Sequence, residues 1–352
     1  MRRSLLAVVV GVCLIASASL RADELVYARF ADYLEALRTQ AGIPGLAAAV
    51  VGPTDVLWER GFGYQDVARA LPMRPDTPMP LDGLTQVFTA SYVLECAEQN
   101  RFSLDDPIGA YVTDAPEPLA TFRQLLSHTT RNGSTLTFLY RPDRLDALAG
   151  VIRRCEGASY LSTTAQQLDR LAMVDSLPGA DVLSFLPPVD PTQITSEGFH
   201  YTSVLERLTT PYAVDSQKRA IPTPLAAPTL LPSTGLITSA HDYAQFDLAL
   251  RSGLLMRPET LAEAWRPALD ATGKPLPHGL GWFVQSYNGD PVIWQYGAAE
   301  NGSSSMVISL PTRGLSLVLL ANSTGLAKSF PLAKGDVTTS PFARIFLSLF
   351  TR

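Results

Sequence analysis

Acyl transfer by a side chain needs a nucleophile, such as a serine hydroxyl, beside a base that eases its deprotonation. A serine with a lysine three residues later supplies both from one face of a helix, because residues three apart are neighbours there. This chain has only Lys218, Lys274, Lys328 and Lys334, and three positions before them stand Asp215, Ala271, Gly325 and Pro331. No serine or threonine stands at that spacing. A Gly-x-Ser-x-Gly turn is also absent. His128, His200, His241 and His278 form no His-x-x-x-His or Cys/His spacing, so the sequence offers no metal centre and implies no cofactor.

The helix that would carry a nucleophile is nonetheless written into residues 78–108, PMPLDGLTQVFTASYVLECAEQNRFSLDDPI. Val87, Phe88, Ser91, Leu94, Glu95 and Glu98 recur at turn spacing, with the apolar ones towards one side, which predicts an amphipathic helix. Gly83-Leu84-Thr85-Gln86 falls at its first turn, where backbone N–H groups point outward and a reactive side chain would be well placed. Phe102, Leu104 and the turn Asp105-Asp106-Pro107 close it.

Other elements follow from the same patterns. Residues 23–40 read as a helix broken by Gly42-Ile43-Pro44-Gly45, and short strands are expected over 46–51 and 56–60. Residues 144–156 read as a helix stopped by Gly157. The Pro-rich run 178–232 has few periodic signals and reads as a long excursion over the surface or around the helical lobe, where it could cover the pocket mouth. Ser239 or Asp242 caps a helix over 241–251. Strands are expected over 279–286, 291–296, 304–310 and 315–322, then a final apolar helix over 341–349.

Val87-Phe88-Thr89-Ala90 followed by Phe102-Ser103-Leu104-Asp105-Asp106-Pro107 resembles a block of the serine β-lactamase-like superfamily, which takes in class C β-lactamases, penicillin-binding DD-peptidases and related esterases. GIPGLAAAVV, TFRQLLSH (121–128) and PSTGLITS (232–239) resemble further segments of that family, in its order. The resemblance implies an α/β (α+β) fold of the β-lactamase/transpeptidase type. An antiparallel sheet from the N- and C-terminal segments (residues 23–65 and 233–352) would be flanked by helices and interrupted by a mainly helical lobe (66–232).

Aligned on those segments, the family's three catalytic places are altered. Gly83 stands where the nucleophilic serine belongs and Gln86 where the lysine belongs; an amide is no useful base near neutral pH. The Tyr-x-Asn place reads Tyr140-Arg141-Pro142, which keeps the phenol and loses the amide. The Lys/His-x-Gly place reads Tyr296-Gly297-Ala298, without a cation and with alanine for the glycine that permits close approach. His128 is expected to be structural, Tyr140 to pack, and Ser303, Ser304 and Ser305 to form a turn and strand start. Asp82 would add negative charge where relatives favour anionic substrates.

These substitutions imply a pseudoenzyme with no catalytic residues. It would bind a small molecule or a cell-envelope partner, with Asp82, Gly83, Gln86, Tyr140, Tyr296, Asn301 and Ser303 as pocket candidates. The other readings are a diverged esterase, peptidase or β-lactamase using Tyr140 or a serine of 303–305, and a structural module whose pocket is filled by its own side chains.

The 352 residues, 46% hydrophobic and 17% charged, suit one large globular domain or two lobes. Residues 1–22 have the form of a secretory leader: Arg2 and Arg3, an apolar run over 5–16, and a cleavage site after Ala18 or Ala22. The run is too short to span a membrane comfortably. The leader implies a secreted protein, expected in the periplasm, and losing Arg2, Arg3 and Arg21 takes the formal charge from −5 to −8, which leaves no case for nucleic acid as a partner. Cys96 and Cys155 then remain; both fall in apolar helical contexts where buried thiols are the favoured state, with a disulfide as the other reading.

Overall fold

The structure is a computed structural model and describes residues 24–133, 135–185 and 196–351. The expected leader, and residues 186–195 of the Pro-rich run, lie outside the described residues. Helix α1 covers residues 24–41 and stops at Gly42, whose φ of 72° turns the chain into the first strand. Seven strands then make one antiparallel sheet: β1 (Gly45–Val51), β2 (Val56–Asp66), β3 (Leu71–Pro72), β4 (Phe283–Tyr287), β5 (Asp290–Ala298), β6 (Ser304–Leu310) and β7 (Leu315–Ala321). Their order is β4-β5-β6-β7-β1-β2-β3, so the N-terminal strands join the C-terminal ones where β1 lies beside β7, Leu46 opposite Ala321.

Every residue of β1, GLAAAVV, is buried, as a strand covered on both faces requires. Its pleat sends Leu46, Ala48 and Val50 to a core with Phe30 and Leu34 of α1 and with Phe342 and Phe346 of α9 (Pro341–Phe350). Ala47, Ala49 and Val51 face the opposite core, with Val87 and Phe88.

That second core surrounds α2 (Gln86–Glu98). Contrary to the amphipathic reading, Gln86, Thr89 and Ser91 are as buried as Val87, Phe88 and Leu94. Helices α4 (Leu148–Glu156), α5 (Tyr160–Arg170) and α7 (Ala240–Arg251) contribute Ile152, Tyr160 and Phe246 to the same core. A helix at the centre of a core needs no polar stripe; its polar side chains must instead find internal partners.

Short helices α3 (Phe122–Leu126) and α8 (Pro258–Ala264) complete this side, α3 opened by a reciprocal capping box between Thr121 and Gln124. Ser239 caps α7 by accepting the Asp242 N–H. Gly157 ends α4 at a φ of 73°, although the first turn of the expected helix, Pro142–Ala147, is 3-10 rather than α.

Two readings are corrected. The Pro-rich run is not plain excursion: it holds α6 (Ser196–Glu206), anchored by buried Tyr201 and Val204, and a hairpin pairing Tyr212–Val214 with Ala220–Pro222. Cys96 and Cys155 are not free thiols but a disulfide, because α2 and α4 bring their Cα atoms to 6.2 Å. Spacing along the chain carries no signal of that approach. No helix among the described residues is long and apolar enough to cross a membrane.

Candidate functional site

The residues of all three altered places meet at one point. Asp82–Thr85 form a 3-10 turn running directly into α2. The last residues of β5, Tyr296-Gly297-Ala298, pass beside it, and Tyr140 follows the hairpin Thr129–Asn132/Thr135–Phe138. The contact between turn and strand is close. A Cβ placed on Gly83 would stand 3.2 Å from the Tyr296 carbonyl oxygen and 3.4 Å from Gln86 Nε2. A Cβ on Gly297 would stand 2.1 Å from the Leu81 carbonyl oxygen and 2.7 Å from the Gly83 nitrogen. The glycine required for close approach is therefore Gly297, one residue before Ala298, which is exposed.

Gln86 is fully buried and its amide is used at both ends. Its Nε2 donates to the Gly83 carbonyl at 2.7 Å and to the Tyr140 hydroxyl at 2.8 Å. Its Oε1 lies 2.9 Å from His128 Nε2, which donates, since His128 Nδ1 accepts the Arg141 N–H at 3.2 Å. The Tyr140 hydroxyl donates to Gln295 Oε1 at 3.1 Å. Gln295 Nε2 donates to the Gly281 carbonyl at 3.2 Å and to His278 Nε2 at 3.3 Å, while His278 Nδ1 donates to the Gly279 carbonyl at 2.8 Å. His128, Gln86, Tyr140, Gln295 and His278 thus form one chain in which each donor meets an acceptor. A fully satisfied buried polar network rigidifies a core.

Burial shifts the titration of these groups away from neutral pH. It holds His128 well below the ordinary histidine range, with His278 adding to the effect, and it pushes His278 down to about 3. Both rings are neutral, 4.7 Å apart and edge to face. Burial raises the Tyr140 phenol well above its usual range, with Tyr296 adding to the shift, and raises Tyr296 to about 12. Neither phenol can serve as a base near pH 7. The two rings stack at 5.4 Å, and Tyr140 also packs 5.1 Å from Phe283.

Asp82, expected to add negative charge to the pocket, is instead enclosed by the fold. It is 4% exposed, sits at a φ of 50°, and accepts the Ser303 hydroxyl at 2.7 Å. Burial pushes its carboxyl up to about 7, against opposing hydrogen bonds from Ser303 and the Ala299 backbone. Ser304 donates to the Ser323 carbonyl and Ser305 to the Leu81 carbonyl, both at 2.6 Å. All three hydroxyls are buried and committed to the fold's own acceptors, so none is presented as a nucleophile. Asn301 is exposed at the turn after β5, and Pro142 opens the 3-10 turn after Tyr140.

Sequence reasoning passed over His278 and Gln295, which complete the polar chain. The available signal was a glutamine at an inward strand position, between Trp294 and Tyr296. The cavities described among these residues, of about 320 to 940 Å3, are lined elsewhere. Cys96, Cys155 and Glu156 are close enough together to hold a metal ion, but the two sulfurs are bonded to each other.

Comparison with known proteins bears on the fold and the family. The chain is 22% identical over 303 residues to Protein flp of Staphylococcus aureus (strain MW2), covering 80% of this chain and 60% of that protein. It is 22% identical over 301 residues to Penicillin-binding protein 4* of Bacillus subtilis (strain 168), covering 76% and 66%. Over 104 residues it is 29% identical to the mitochondrial serine beta-lactamase-like protein LACTB of Bos taurus, covering 28% and 19%. The chain thus spans less than two thirds of the length of each of these relatives. In fold it is similar to the octameric penicillin-binding protein homologue from Pyrococcus abyssi, with a TM-score of 0.71 at 18% identity over 92% of this chain and 77% of that one. It is also similar to the D-alanine carboxypeptidase AmpC from Burkholderia cenocepacia, with a TM-score of 0.68 at 17% identity over 92% and 99%. The Beta-lactamase family model matches residues 30–149 and 184–337. With well over half of its length matched, this chain belongs to the beta-lactamase family.

Proposed function

We propose that this protein is an exported, non-acylating member of the beta-lactamase family that acts by binding a small molecule or a cell-envelope partner. One observation carries the reading. The position that would hold the lysine base is Gln86, a neutral amide hydrogen-bonded on both sides within the fold, one turn from a glycine where the serine would stand. Supporting it, the space directly beside Gly83 is bounded by the Tyr296 carbonyl, Gln86 Nε2 and the Gly297 backbone, all within 3.4 Å of a Cβ placed there. Without nucleophile and base no covalent intermediate of the usual kind forms, and removing such groups typically lowers rates by several powers of ten.

The test is covalent labelling. Purified protein is soaked with a fluorescent penicillin and with an activated phosphonate ester, then digested and mapped by mass spectrometry. We expect no adduct on peptides holding residues 81–86, 140 or 295–305. A stoichiometric label at one residue in these segments would end the proposal. Export is tested separately by N-terminal sequencing of the periplasmic fraction, with Ser19 or Asp23 expected as the first residue; protein retained in the cytosol and beginning at Met1 would refute it.

A further inference from the structure

A cavity of about 620 Å3 opens beside α4, the 3-10 turn Pro142–Ala147 and the loop after Ile108, and none of Gly83, Gln86, Tyr140, Gln295 or Tyr296 lines it. Its volume is that of a small-molecule site. The wall is apolar where Ile108, Val112, Leu125 and the Tyr160 ring meet, and seven charged side chains stand around it. Arg141 pairs with Asp143 at 2.8 Å, and Arg144 takes both Glu117 oxygens at 2.8 and 2.9 Å. Asp114 and Arg153 are exposed, where water screens them.

Asp146 is the exception. It is half-buried, it accepts the Ser233 N–H at 3.0 Å, and it has no cationic partner among the described residues. Burial raises its carboxyl above the ordinary range, against hydrogen bonds from Ser233 that only partly offset it. A half-buried carboxylate without a counter-ion, on an apolar-walled cavity, is complementary to a cation carried on a hydrocarbon body.

We propose that this cavity is a binding site for a small organic cation with a compact apolar body, an amidine or amine on a ring, its charge against Asp146 and its ring against Ile108, Val112 and Leu125. The site adjoins the altered acyl-transfer place at Arg141 but includes none of its residues Gly83, Gln86 or Tyr140, and it stands whether or not that place is inert.

Benzamidine is the probe and benzoate, of the same shape and opposite charge, the control. Each is titrated into the intact protein by calorimetry and by 1H–15N correlation spectra. Benzamidine is expected to bind once per chain and to shift the amides of Val112, Gly150 and Ser233, with benzoate at least tenfold weaker. Asp146→Asn keeps an acceptor for Ser233 and is expected to weaken benzamidine about 10- to 100-fold, the range for a lost hydrogen bond to a charged group. Should that variant misfold, the wild-type spectra decide alone. Absence of saturable binding, benzoate binding as tightly as benzamidine, shifts confined to other residues, or unchanged affinity in folded Asp146→Asn would each overturn the proposal.

Discussion

Replacing Asp82 by Asn should change how stability depends on pH while leaving the fold intact. Asn tolerates the left-handed backbone at this position and can still accept the Ser303 hydroxyl. In the folded protein the Asp82 carboxyl titrates at about 7, whereas an unfolded aspartate titrates near 3.9. A folded pKa raised above the unfolded one means that the native state holds the extra proton between those values. Its contribution is therefore fully present below the unfolded pKa and is lost as pH rises through about 7. Linkage over this interval makes the wild type about 2.5 kcal/mol more stable at pH 5 than at pH 8 on account of Asp82 alone.

His278 works in the opposite direction. Its folded pKa of about 3 lies below the unfolded value, so its contribution is lost as pH falls below about 6.5, by roughly 2 kcal/mol at pH 5. The two nearly cancel in the wild type. Urea unfolding at pH 5 and pH 8 should therefore show Asp82→Asn gaining about 2.5 kcal/mol relative to wild type on going to the higher pH, since every other titration is common to both proteins. A relative stability constant within about 0.5 kcal/mol across that range would refute the burial argument for Asp82.

Gly83→Ser combined with Gln86→Lys should not restore hydrolysis of nitrocefin. The serine Cβ would press on the Tyr296 carbonyl, and an ammonium cannot accept the His128 proton; robust turnover would show the closed geometry to be no obstacle. Gln86→Met preserves side-chain length but strands the His128 donor and the Gly83 carbonyl, and should cost at least about 2 kcal/mol in urea unfolding. A loss below about 0.5 kcal/mol would mean that the polar chain contributes little to stability. Opening the Cys96–Cys155 disulfide, which joins positions 59 apart, by replacing both residues with Ala should cost about 2 to 4 kcal/mol. An unfolding midpoint that ignores both this change and reducing agent would contradict it.

Much of this protein is legible without coordinates. The strands of the sheet, the helix after Gly83, the stop at Gly157 and the Ser239 cap all rest on local rules of period, capping and turn chemistry, which need only neighbours in sequence. The absence of any serine–lysine pair is likewise a property of the sequence alone. Tertiary structure decided what replaced that pair. Asp82 could be read as a charge in an open pocket and α2 as a one-sided helix until packing buried both. Cys96 and Cys155 could be read as separate thiols until α2 and α4 met. Gln86, Tyr140 and Gln295 lie on three different elements, and only the fold brings them within hydrogen-bond reach. Composition and spacing determine which chemistry a chain lacks; partners for buried polar groups are chosen by contacts between segments far apart in sequence, and those contacts have no local signature.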